Sequence, residues 1–204
     1  MKKNKFVFIS LFASSYPALS IEYLKSTLKK HGYESSVIYF VKYNDTVLSN
    51  PDLILPTPAE IKILIDRIKQ LSPDIVGLSV YAHFFQYAGE ITRHIRKELN
   101  IPVIWGGVHP TLCPEECIQI ADMICVGEGE EAVLELAQRM SEKKDITNIR
   151  NIWVRDKDKI FRNDLRPLLQ DLDSLPFPEL TTQDSYLLCM DRNYNPMRQS
   201  KAYN

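Results

Sequence analysis

Two apolar runs in this chain end in glycines, and they mark where a ligand can come closest to the backbone. Residues 102–105 (PVIW) stop at Gly106-Gly107, and residues 123–126 (MICV) stop at Gly127-Glu128-Gly129. Glycine has no Cβ, so glycines at strand ends leave a slot in which backbone amides and carbonyls are within reach of a bound molecule. Hydrogen-bonding side chains accompany them: Ser79 at the end of a third apolar run, Tyr81 and His83 just beyond it, His109 after the first glycine pair, and Glu128. A purely structural use of both motifs stays open. Residues 127–130 also suit a helix cap, with Glu128 and Glu130 favoured by the helix dipole. Gly106-Gly107 also suits a tight strand-to-helix turn. No catalytic set and no metal-ligand set is assigned from these residues.

The elements that must carry them alternate regularly. Residues 5–10 read as a first strand, and Ile21, Leu24 and Leu28 form one face of a helix ending near His31-Gly32. Residues 35–41 read as a second strand. Thr57-Pro58-Ala59-Glu60 is a capping box with proline at the first helical position, and Ile61, Leu64, Ile65 and Ile68 continue it as an apolar stripe. Residues 74–80 give a third strand, and Ala88, Ile91, Ile95 and Leu99 the inner face of a third helix. The two glycine-ended strands follow, joined by one short helix, and a last helix spans about 130–140. Five βα units in series predict a flavodoxin-like doubly wound parallel five-stranded sheet of order 2-1-3-4-5.

Residues 149–154 and 159–162 flank Arg155-Asp156-Lys157-Asp158 and predict a C-terminal β-hairpin, added as an antiparallel edge. From Asp164 onward four prolines lie among acids and leucines, which predicts an extended tail, and residues 187–204 carry neither a helical stripe nor a convincing strand. Residues 44–56, with prolines at 51 and 56, predict an irregular segment. In an open parallel sheet of this order a ligand binds at the carboxyl ends of the strands, where the order reverses between strands one and three. Residues 11–20, 81–87, 106–112 and 127–131 all fall on that edge, so every motif named above converges there.

Composition excludes several classes. A chain of 204 residues has room for one α/β domain of about 150 residues and an appendage. The net charge is −1 with acids and bases interspersed, so no basic face addresses nucleic acid. No apolar run reaches the roughly 18 residues of a membrane span. Lys2, Lys3 and Lys5 before residues 6–13 imitate a signal peptide, but the apolar part is short and its removal would delete the central strand. Cysteines at 113, 117, 125 and 189 form no secreted disulfide framework and read as free thiols in a reducing cytoplasm. Cys113 and Cys117 have the first spacing of a C-x-x-x-C-x-x-C iron-sulfur motif, yet its third position is Ile120 and Cys125 lies too far along. They therefore read as small core or surface thiols, with no zinc motif either.

Four segments occur in order: SPDIVGLSV at 72–80, PVIWGGVHP at 102–110, VGEGE at 126–130 and RPLLQDLDSLPFP at 166–178. With this ordered set the chain resembles the N-terminal cobalamin-binding domain of the radical S-adenosylmethionine enzymes. The resemblance implies a cobalamin-binding Rossmann-like domain over 1–145, a hairpin appendage over 146–165, and a linker over 166–204 toward a downstream radical S-adenosylmethionine barrel. It implies that the nucleotide tail of cobalamin enters the slot at Gly106 and Gly107, with the Ser79 hydroxyl bonding the tail. Tyr81, His83 and His109 are then expected along the corrin rim, with Glu128 and the amides of Gly127 and Gly129 near the corrin side-chain amides.

The chain departs from many other cobalamin proteins in one respect. None of His31, His83, His94 or His109 lies in an Asp-x-His-x-x-Gly motif, so a lower histidine ligand to cobalt from that motif is not expected. The resemblance also implies a parent enzyme with a four-iron four-sulfur cluster and S-adenosylmethionine, typically for methyl transfer, whose cluster cysteines follow soon after position 204. On this reading the 204 residues are not catalytic alone. The alternative is a cofactor-free scaffold or interaction domain of the same family. Other classes fit less well: a phospho-receiver needs an aspartate where Ser79-Val80-Tyr81 stands, and the first βα turn lacks the G-x-G-x-x-G of a nicotinamide site. Ser14 and Ser15 only faintly echo the phosphate loop of a flavodoxin.

Overall fold

Lys5–Ser10 forms β1, whose last five residues are all buried, in keeping with a strand flanked on both sides. The computed structural model describes residues 3–11, 18–42, 55–178, 184–190 and 196–201. After β1 come α1 (Leu19–Lys30), β2 (Glu34–Lys42), α2 (Pro58–Leu71), β3 (Ile75–Ser79), α3 (Phe85–Leu99) and β4 (Val103–Gly106). Then follow α4 (Val108–Leu112), α5 (Pro114–Ile120), β5 (Met123–Cys125), α6 (Glu130–Ser141), β6 (Ile152–Asp156), β7 (Lys159–Phe161), β8 (Ser185–Met190) and β9 (Pro196–Lys201).

The sheet order is β7-β6-β5-β4-β3-β1-β2-β8-β9. Its centre, β5-β4-β3-β1-β2, is parallel throughout and reverses direction of growth between β1 and β3. The β6–β7 hairpin joins the β5 edge antiparallel. The sheet is thus nine-stranded rather than five-stranded. The reading of no convincing strand over 187–204 is corrected as well: β8 pairs parallel with β2, and β9 returns antiparallel to it. An unpaired β2 would present a free ladder of amides and carbonyls, which β8 satisfies. The single helix expected between the glycine-ended strands is two short ones, α4 and α5, divided at Cys113. Most of residues 44–56 lies outside the described residues.

Sequence periodicity explains how the layers close. Thr57 Oγ1 accepts from the Glu60 amide at 3.3 Å while the Glu60 carboxylate accepts from the Thr57 amide at 2.6 Å, so the predicted capping box starts α2. A cap of this kind is worth about 1 kcal/mol. Ile61, Leu64, Ile65 and Ile68 then bury one helix face against Val7, Ile9, Val76 and Leu78, and α3 and α5 share that side of the sheet. Each such aliphatic side chain contributes roughly 1.5–3 kcal/mol on burial. The opposite side packs α1 and α6 against Phe6, Phe8, Ile75 and Ile104.

Several buried polar groups are paired across elements. The Trp105 indole N–H donates to Thr92 Oγ1 at 2.9 Å, joining β4 to α3. On the other side Tyr39 donates to Glu22 at 2.6 Å, and Lys25 donates to Glu22 at 2.9 Å and to Ser185 Oγ at 3.1 Å. That trio fastens β8 to α1 through fully desolvated charges, which are tolerable inside a protein only when paired. Among the described residues no helix is long and apolar enough to cross a membrane.

Candidate functional site

A cleft of about 580 Å³ opens at the carboxyl ends of β1, β3, β4 and β5, on the side covered by α1 and α6. Its apolar walls are Ile21 and Leu24 of α1, Val133 of α6, and Phe8 and Ile104 of the sheet. Gly77 lies in its lining with its missing side chain toward Phe8: a Cβ there would stand 2.7 Å from the phenyl ring. Volume and lining are those of a site for an organic ligand, apolar with a few placed polar groups.

Ser79, Tyr81, Gly106, Gly107, Gly127, Glu128 and Gly129 all line this one cleft. The two glycines of the first pair do different work. Gly107 has φ +98° and ψ −164°, a backbone region open essentially to glycine alone. A Cβ on it would lie 3.2 Å from Ser79 Oγ and from the Val80 backbone, so its absence lets the chain turn from β4 into α4. A Cβ on Gly106 would touch only the Cβ of Cys125 at an ordinary 3.9 Å, so there the space belongs to the cleft.

Helix α4 decides which of its residues face the cleft. It begins directly after Gly107, and Val108, Thr111 and Leu112, at i, i+3 and i+4, share the cleft side. His109 and Pro110 point the other way and are buried. The His109 ring stands edge-on to Phe85 with centroids 5.0 Å apart. His83 is exposed on the turn Ala82–Phe84 with its ring 4.3 Å from that of Phe84. Neither histidine lines the cleft, nor do His31 and His94, which account for the four in the chain. The fold thus brings seven of the nine expected site residues to the cleft lining and leaves His83 and His109 outside it.

Thr111 carries no motif in the sequence, yet it joins the two glycine turns. Its hydroxyl donates to the Gly107 carbonyl at 2.8 Å and accepts from the Gly127 amide at 3.1 Å. The late RPLLQDL run also reaches the site. Leu168 lines the cleft, and the Leu169 amide donates to the Glu128 carboxylate at 2.8 Å. Asn151 holds that strap in place, accepting from the Arg166 amide at 2.8 Å and donating to the Val126 carbonyl at 2.7 Å. Arg166 itself pairs with Glu135 of α6.

The Cys125 thiol is pushed up to about 12, chiefly by burial, so it stays protonated and inert near neutral pH. For a cobalamin the residues present fit: glycines leave a cradle a side chain would fill, apolar walls suit a nucleotide base, and Ser79, Tyr81, Thr111 and Glu128 offer partners to amides and a phosphoribosyl tail.

Comparisons with known proteins bear on this geometry. The B12 binding domain family matches residues 7–137. An uncharacterized methyltransferase of Pyrococcus horikoshii is 32% identical over 127 residues, covering 58% of this chain and 27% of that protein. The cobalamin-dependent S-adenosylmethionine radical enzyme OxsB with aqua-cobalamin bound superposes with a TM-score of 0.65 at 20% identity, covering 87% of this chain and 24% of that one. The radical S-adenosylmethionine methyltransferase TsrM from Kitasatospora setae, with cobalamin and an iron-sulfur cluster bound, gives 0.59 at 21% identity, covering 86% of this chain and 31% of that one. At these identities the two structures establish likeness of fold. The chain spans between about a quarter and a third of the length of each of these relatives. With more than half of its length matched, and with the cleft at the topological switch point, the chain belongs to the B12 binding domain family.

Proposed function

We propose that this chain is the cobalamin-holding part of a radical S-adenosylmethionine enzyme, and that it binds the cofactor without a histidine lower ligand to cobalt. The observation that carries the reading is a glycine-lined cleft, bridged by Thr111, that none of the four histidines lines. In this account the nucleotide tail enters between α1 and α6, with Gly106 open to it and Ser79 and Thr111 as its polar partners. Tyr81, Glu128 and the amides of Gly127 and Gly129 border the corrin. The residues of 1–145 supply most of the site and Leu168 of the strap closes one side, so the cobalamin unit extends past position 145.

When bound in the whole enzyme, cobalamin supplies a transferable methyl group or a one-electron cobalt centre. This chain's own part is to hold the ring at the sheet edge, keep water from the tail through Ile21, Leu24 and Val133, and leave the outward face open. A downstream barrel in the same polypeptide, carrying a four-iron four-sulfur cluster and S-adenosylmethionine, completes the parent enzyme, with methyl transfer as its reaction. The methyltransferases named above support that reading.

Electron paramagnetic resonance of the chain loaded with cob(II)alamin tests the ligation. Labelling all histidines with a heavier nitrogen isotope is expected to leave the cobalt hyperfine pattern unchanged. A pattern that alters on labelling would overturn the absence of a histidine ligand. Failure of any cobalamin to remain with folded protein would favour the cofactor-free scaffold.

A further inference from the structure

We infer that His109, Cys113 and Glu116 form a three-ligand site for a zinc-class divalent cation, separate from the cleft. Their ligand atoms all lie within 4.8 Å of one another. The placement follows from the break between the two short helices. His109 sits on the buried side of α4, the Cys113 amide closes the helix on the His109 carbonyl at 2.8 Å, and Glu116 stands in the first turn of α5. Consecutive turns thus bring an imidazole, a thiol and a carboxylate to one point.

The histidine supplies an independent reason to expect a ligand there. His109 is 8% exposed, and its Nε2 has no hydrogen-bond partner. The Glu116 carboxylate stands 3.0 Å from that nitrogen but out of line for a hydrogen bond. A buried ring nitrogen left unmatched costs about 1–3 kcal/mol, and coordination to a cation would satisfy it. Zinc bond lengths of about 2.0–2.3 Å set neighbouring ligand atoms roughly 3.3–3.8 Å apart, a spacing that side-chain rotation of exposed Cys113 and Glu116 can reach. Thiolate, imidazole and carboxylate together select zinc or cobalt over magnesium or calcium. One thiolate and one carboxylate also balance the double charge of the cation.

Binding forms a metal–sulfur bond as the Cys113 proton leaves to solvent, so affinity must rise with pH. Cys117 is buried and lies outside the cluster. Three protein ligands leave a fourth position to water.

The test is a titration of tag-free, metal-free protein with cobalt(II) and then zinc, without cobalamin. The wild type is expected to take up one cobalt with a thiolate-to-cobalt charge-transfer band, which zinc abolishes by displacement. Cys113→Ser removes an exposed thiol without touching the core, and should lose the band with its circular dichroism unchanged. Glu116→Gln and His109→Gln should each weaken cobalt binding by more than the roughly 10–100-fold that losing a supporting partner costs. Should His109→Gln fail to fold, the first two variants decide. No band in the wild type, or a band and affinity that persist in Cys113→Ser, would overturn the site and leave the cobalamin reading untouched.

Discussion

Thr111 Oγ1 lies 3.1 Å from the amide nitrogen of Gly127, so one hydroxyl holds together the turns that follow β4 and β5. Because the same oxygen donates to the Gly107 carbonyl, the distance between the two glycine turns is fixed across the cleft. Thr111→Val keeps the shape and removes both hydrogen bonds. Each is worth about 0.5–1.5 kcal/mol, about 1–3 kcal/mol for the two, so cobalamin affinity should fall by up to roughly fivefold to 150-fold, with whatever part does not appear in affinity appearing as lower stability. Calorimetric titration with hydroxocobalamin checks this; unchanged affinity would mean that the turns hold their spacing without Thr111.

The two glycines of the first pair separate binding from folding. Gly106→Val fills the cleft without straining the chain and should abolish cobalamin binding while thermal stability changes little. Gly107→Ala forces a Cβ into a backbone region that costs about 1–3 kcal/mol and toward the Val80 backbone, so it should lower stability first. Paired melting curves and binding isotherms distinguish the two. A stable Gly107→Ala with normal binding would contradict the assignment of that glycine to the turn.

Much of the frame was legible because it is written in local pattern: the capping box at Thr57, the apolar stripe of α2 and the two glycine-ended strands each lie within a few residues. The cleft glycines followed from strand-end position. What was not legible depends on contacts distant in sequence. Thr111 matters through Gly127, 16 residues away. Gly77 reads as part of an ordinary strand until Phe8 of the neighbouring strand is seen to occupy its missing side chain. Strand β8 pairs Ser185 with Val37, a partnership that no window around residue 185 reveals. His109 stands outside the cleft lining for a geometric reason: α4 starts one residue before it, and helical rotation carries its ring away from the cleft that Val108 and Thr111 face.

The Trp105 indole N–H donates to Thr92 Oγ1 across the β4–α3 boundary, at 2.9 Å inside the core. Thr92→Val is nearly isosteric and strands the indole N–H. Stability should drop by about 1–3 kcal/mol, read as a lower urea midpoint with unchanged slope. A midpoint equal to wild type would show that the indole finds another partner.

Thiol reactivity should sort by burial. Cys113 is exposed and should label first in the folded, metal-free protein. Cys117 and Cys125 are pushed up to about 12, both chiefly by burial, and should resist labelling at about pH 9, where an ordinary thiol is largely ionised. The sign for stability follows. A raised folded value favours the protonated fold, so this contribution is complete below the ordinary thiol range and is lost as pH climbs toward 12. Peptide mapping after alkylation with and without denaturant reads the result; rapid native labelling of Cys125 would contradict its burial.

The central claim is that the cleft between α1 and α6 takes cobalamin. Incubation of the chain with excess hydroxocobalamin, gel filtration, and the absorption spectrum of the protein peak measure it most directly. The account predicts corrin absorbance co-eluting with folded protein at one cobalamin per chain, and a colourless protein peak from correctly folded wild type would contradict it.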